Sequence, residues 1–478
     1  MSYFRQGLIV ISLLGFITDA YGTNVSQDED TYDLLLILEA EGIIKSGLLT
    51  TKPMTKKEVA RLIKEAEKSE AKKSPFISAV ISSLKKKFKA EVGSRKYLKP
   101  IDTAYGRLIY SDRDAQELSY NNDGDSYRNG TNVRLGLSGM AEYGRLSVFA
   151  NPEIRYSSEK AGIKLRRGYV TFGFLGLELE IGKDSEWWGP GYHGALLLST
   201  NAEPVKMLKL TNPKPARLPF IHGPFRFTVF VSRLEKERDF PEPYLWGLRF
   251  NFKPIQYLEL GLQRTAILGG EGRSESPKTW LNSFIGRGEN NAGREAGDQK
   301  AGGDVKLILP FRWQPMQIYL EAAGEDEANG LPSKWAYLGG IYLPRILSIE
   351  NIDFRAEYAT THVKGSPNVW YSHHVYTSGY TYEGRTIGHH MGGDSEDIFF
   401  ELNYRMPETM SRFYVSYDRE RHNLSDSLDA SKHEASLGVR LIEGNMDIEA
   451  GLRTAWLKST NGNKENISMV VLGMNYHF

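Results

Sequence analysis

Beyond about residue 100 the chain repeats one pattern, segments of eight to thirteen residues in which apolar and polar side chains alternate. In Tyr244 to Phe252 one parity carries Tyr244, Trp246, Leu248, Phe250 and Phe252, and the other carries Gly247, Arg249 and Asn251. Ile352, Phe354, Ala356 and Tyr358 alternate in the same way with Asp353, Arg355 and Glu357. Successive side chains of a strand point to opposite faces, so each segment reads as a strand with one greasy face and one charged face. A soluble sandwich also alternates, but it does not bury mid-strand charges of both signs. The apolar rows also end in aromatics such as Tyr244, Phe252, Tyr358, Tyr404 and Trp456, as where strand ends meet two membrane interfaces. The pattern therefore predicts an all-β fold, a transmembrane antiparallel β-barrel.

Loop lengths and the last strand extend this reading. Short turns such as Phe252 to Gln256 and Met406 to Met410 take turns with long polar loops such as Gly269 to Gly302 and Thr361 to Asp397. That asymmetry belongs to outer-membrane barrels. Seventeen segments alternate, and an even number is needed if both termini face the periplasm; Val205 to Thr211 supplies the missing strand, giving about 18. Val470, Leu472, Met474, Tyr476 and the terminal Phe478 form a final apolar row. A terminal Phe after such a row resembles the signal read by the barrel-insertion machinery, an expected partner alongside outer-membrane lipids.

Composition narrows the function. Sixty Lys plus Arg against 59 Asp plus Glu leave no basic field for nucleic acid. The absence of cysteine removes disulfides, thiolate metal sites and cysteine nucleophiles. A mean hydropathy of -0.42 excludes a helical membrane protein.

The N-terminus reads differently. Arg5, the apolar run Gly7 to Ile17 and Ala20-Tyr21-Gly22 make residues 1–22 a signal peptide, and no cysteine follows to take a lipid. Residues 23–95 form a helical periplasmic region, and 96–478 the barrel. Thr55 to Glu58 reads as a capping box, and Phe76, Ile77, Val80, Ile81 and Leu84 form a stripe opposite Lys85, Lys86 and Lys87. Such a helix rests on a membrane surface or, equally, shows a plain solvated lysine face. The preferred reading is a bundle closing the lumen from the periplasmic mouth.

One segment carries candidate recognition chemistry. Trp187 and Trp188 precede Gly189-Pro190-Gly191, a structural turn in which proline fixes the backbone and the glycines permit tight conformations. Indole faces stack on sugar rings, and Asp184, Glu186, His193 and Asn201 are candidates to bond hydroxyls, with Tyr192 beside them. Equally, the tryptophans anchor at an interface or fill a plug.

The run Gly182 to Asn201 resembles the signature of the capsule-assembly Wzi family, as do Gly223-Pro224-Phe225, Gly379-Tyr380 and the stretch Gly388 to Asp394. The resemblance implies an outer-membrane barrel with a short helical N-terminal region. It further implies a lectin, not an enzyme, that attaches capsular polysaccharide or exopolysaccharide to the cell surface. His390 and Asp394 join the candidate polysaccharide contacts on this basis.

The alternative is a porin or substrate-specific channel with Arg249, Glu259, Lys306, Arg355 and Arg405 lining its lumen. No cofactor is expected. Five of ten histidines fall between His362 and His390, where Asp394 or Glu396 could complete a zinc site. Adjacent histidines on a strand face opposite ways, so no metal site is predicted. No Gly-x-Ser-x-Gly elbow is present, and Ser372 beside His373 is sequence adjacency alone, so no hydrolase is predicted.

Overall fold

The computed structural model describes residues 21–27, 30–89, 91, 96–158, 160–217, 223–286, 297–328, 331–367, 369–426 and 429–478. Most of the expected leader, residues 1–20, lies outside them. Eighteen antiparallel strands close into a barrel, from Lys96–Ser111 to Lys464–His477. First and last strands pair, with Thr103 opposite His477 and Ser111 opposite Met469. Closure satisfies every strand edge, the condition for sheet inside a bilayer. Val205–Thr211 takes its place between Leu177–Asp184 and Phe225–Arg233, as parity required.

The two faces sort as the alternation predicts. Leu472, Met474 and Tyr476 are exposed, whereas Arg249, Asn251 and Glu259 are at most 1% exposed. The apolar row around Trp246 departs. Trp246 belongs to the apolar row but is 3% exposed, because a helix folded from the long loop covers it. This helix, Pro277–Ile285, is capped by Ser276, whose hydroxyl accepts from the Thr279 N–H, and ends at Gly286 in the left-handed region. Ser283 accepts the Trp246 indole N–H at 2.9 Å, and Phe284 stacks on the same ring. The helix therefore sits on the barrel's outer wall.

The N-terminal region folds into the lumen at the short-turn end. Helix α1 (Thr31–Ala40) is held by charge: Asp30 pairs with Arg405 at 2.7 Å, Asp33 with Arg355 at 2.7 Å and Arg412 at 3.0 Å. Glu39 joins Lys253 at 2.6 Å and Lys306 at 2.8 Å. The predicted lumen charges thus pair with a plug. Helices α2 (Lys56–Lys68) and α3 (Pro75–Lys87) bury their apolar stripes in one core with α1. That burial leaves the α3 stripe unavailable to a membrane surface, and Lys86 donates to the Gly444 carbonyl of a barrel turn. Thr55 caps α2 as expected, but the Glu58 carboxylate binds Arg61 and does not return to the cap.

Candidate functional site

The connection from Asp184 to Val205 folds inward and meets the plug. Trp187–Trp188 pairs with Thr51–Lys52, Trp188 opposite Thr51, and the Gly189 N–H donates to the Thr50 carbonyl at 2.9 Å. Thr50 is fixed in turn by Glu259, which accepts from its N–H at 3.0 Å and its hydroxyl at 2.8 Å. Lumen carboxylates bind the rest of the connection. Glu357 accepts the N–H groups of Tyr192 and His193 at 2.5 and 2.9 Å, and Glu321 accepts that of Leu196 at 3.2 Å.

The turn is sterically forced. Gly189 has φ +128°, and a Cβ there would stand 2.6 Å from a Glu321 carboxylate oxygen. A Cβ on Gly191 would meet the Gly194 carbonyl oxygen at 2.1 Å. Gly189→Ala is therefore expected to lower stability by about 1–3 kcal/mol, read as an earlier denaturation midpoint in detergent.

These contacts bear on the expected sugar contacts. Trp187 is 4% exposed and Trp188 fully buried, so neither indole face is open to a sugar in this conformation. The Trp187 N–H donates to the Gly191 carbonyl, and that of Trp188 to Glu186, whose second oxygen binds Lys209 at 2.8 Å. Asp184 accepts from Asn24 at 2.8 Å, and Asn201 donates to the Thr386 carbonyl at 2.9 Å. Asp394 joins loops by accepting from Ser425 and contacting His362 at 2.7 Å. Five of the predicted contacts are thus bonded within the connection or to the plug and the loop beside it, and Asp394 clasps loops.

Tyr192, His193 and His390 converge. His193 stacks on Phe399 with centroids 3.8 Å apart, and His390 stacks on Tyr120 at 4.4 Å and meets His193 edge-on at 4.6 Å. Tyr192 and His193, with Tyr120, Glu401 and Arg453, border an internal chamber of about 270 Å³ above the plug. Arg355 stands 3.7 Å from the Tyr192 ring. Burial, reinforced by Glu434, pushes the Tyr120 phenol well above its ordinary range, so it stays a neutral donor to that carboxylate at 3.1 Å. Lys52, at the chamber floor, is pushed down to about 8 by burial against the pull of Asp33. Tyr120 was missed from the sequence because it lies in a polar loop with no pattern.

A family model for capsule assembly protein Wzi matches residues 111–469. The chain belongs to this family. The solved Wzi of Escherichia coli, described as an outer-membrane, carbohydrate-binding β-barrel involved in group 1 capsule assembly, superposes with a TM-score of 0.76 at 21% identity. The superposition covers 96% of this chain and all of that one. A Klebsiella pneumoniae relative, an uncharacterised 55.8 kDa protein in the cps region, is 29% identical over 343 residues. The match takes in 70% of this chain and 64% of that relative's length. Pseudomonas aeruginosa OccK3 (OpdO) matches with a TM-score of 0.49 at 11% identity, over 79% of this chain and 94% of that one. Like other Wzi family members, the protein is an integral β-barrel of the outer membrane.

Proposed function

We propose that this Wzi family member is a non-catalytic anchor that retains capsular polysaccharide or exopolysaccharide at the outer-membrane surface. The observation that carries the reading is the family match over most of the barrel. The ion-paired plug and the inward-folded connection argue against the channel alternative, because charged and apolar side chains fill the lumen that a solute would cross.

Polymer contact is assigned to the outer-rim loops. The buried Trp187-Trp188 segment supports them from beneath, while Tyr192, His193 and His390 hold the chamber under the outer loops. Each single contact is weak. A polysaccharide repeats its epitope, so many barrels on one polymer bind by avidity. The lipid-facing band contacts outer-membrane lipids, and Phe478 presents the strand-end signal to the insertion machinery.

The experiment is retention of surface polysaccharide in a deletion strain, with and without the restored gene, alongside binding of purified polymer to the detergent-solubilised barrel. Polymer is expected in the medium of the deletion strain and back on cells after restoration. Unchanged retention together with no binding in solution would overturn the proposal.

A further inference from the structure

Three segments remote in sequence bring His193, His390 with Asp397, and Asp418 to one point. Asp397 and Asp418 lie on the inner faces of the neighbouring strands Ser395–Arg405 and Arg412–His422, and the histidines come from the two inward-folded loops. One ligand atom from each residue lies within 4.8 Å of all the others. His390 Nε2 is 3.3 Å from Asp397 Oδ2, and His193 Nε2 is 3.7 Å from both that oxygen and Asp418 Oδ2. Zinc bonds of about 2.0–2.2 Å to nitrogen and oxygen put the edges of a tetrahedral ligand set at about 3.3–3.5 Å. Three of the six separations meet that or close to it with shifts of a few tenths of an ångström, and the rest extend to at most 4.8 Å.

Charge and hydrogen bonding point the same way. His193 Nε2, His390 Nε2, Asp397 Oδ2 and Asp418 Oδ1 are buried with no directed hydrogen bond. Asp397, Asp418, Glu420 and Glu434 bring four negative charges. Lys432, at 2.5 to 3.4 Å from three of them, and Arg453 beside Tyr120 bring two permanent positive charges, and His422 stands 3.0 Å from Glu420. Four buried carboxylates facing two permanent cations favour a further positive charge at this point. The rings are already oriented, His390 by stacking on Tyr120 and His193 by stacking on Phe399.

We propose that His193, His390, Asp397 and Asp418 bind one divalent transition-metal ion of the zinc class. The ion ties both inward loops to the barrel wall and fixes the layer beneath the outer rim. Its role is structural, since four protein ligands leave no open position. The site does not depend on the polysaccharide reading. In competition with the metal is a proton: burial pushes His390 down, but Asp397 and Glu420 push it up to about 10. An imidazolium would then serve as part of the counter-charge.

The test uses tag-free protein purified in detergent without chelator. Elemental analysis is expected to find one zinc-class ion per chain, and cobalt(II) added to metal-stripped protein should give the intense visible bands of a tetrahedral site. His390→Gln and Asp418→Asn should lose the ion, whereas His374→Gln, at an exposed histidine outside the cluster, should keep it. If either cluster variant fails to fold, the cobalt spectrum of the unaltered protein decides. Neither stoichiometric metal nor a tetrahedral cobalt spectrum in that protein, or full metal retention by folded His390→Gln, overturns the proposal.

Discussion

Replacing Asp30 and Asp33 together with asparagine is expected to release the plug and turn a silent barrel into a conducting one. Both carboxylates are buried among Arg355, Arg405 and Arg412. Burial alone would raise their pKa, but Arg405 and Arg412 hold Asp30, and Arg355, Arg412 and Arg405 hold Asp33, below the usual carboxylate range. Their stabilisation is therefore present above the ordinary carboxylate pKa of about 3.9 and is lost as pH falls through the depressed values. The latch holds at every pH near neutrality. Asparagine removes the charge at all pH values and leaves Arg405 and Arg355 facing Asp353, at 3.5 Å and 4.0 Å, and Arg412 facing Glu401. Breaking a buried pair by removing one partner costs about 3–5 kcal/mol. In planar bilayers the unaltered barrel should show no steady large conductance, and the double variant should show frequent openings. A variant as silent and as stable as its parent would remove the electrostatic latch from the account.

The arginines of this latch were legible as lumen charges because strand parity is a local property. Arg355 and Arg405 alternate with apolar neighbours, and a pleated strand sends them inward whatever they meet there. Parity also placed Val205–Thr211 in the wall before any pairing was known. It could not identify the partners of the charges, since Asp33 lies 322 residues from Arg355. Trp246 was misplaced for the same reason: its row is lipid-facing by alternation, but a helix from a loop that reads as polar covers it. The histidines show the limit at its sharpest. Judged by adjacency, His389-His390 argued against a metal; His193, 197 residues earlier, comes into contact only through two loops folded into one lumen. The Trp187-Trp188 motif was visible as special, but its direction was not, because the two-residue strand it pairs with sits in the plug.

Trp188→Ala is expected to destabilise the protein by about 3–5 kcal/mol, the range for truncating a buried aromatic. Trp188 packs edge-on against Phe230 at 5.5 Å and sits above Gly247, where a Cβ would come within 2.7 Å of its ring. Its N–H donates to Glu186, so truncation also frees one side of the carboxylate that neutralises Lys209. The cavity left beside the backbone pairing with Thr51 would loosen plug and connection together. Denaturant melts of the detergent-solubilised variant, read beside polysaccharide retention, separate two roles. A tryptophan that stacks on sugar would lose binding while the melt stayed unchanged. A tryptophan that holds the loops in place should lose stability first, and retention should fall in proportion. Trp188→Phe, which keeps the ring contact but not the N–H, should fall between parent and alanine on both measurements. Retention lost at unaltered stability would return Trp188 to the sugar-binding surface.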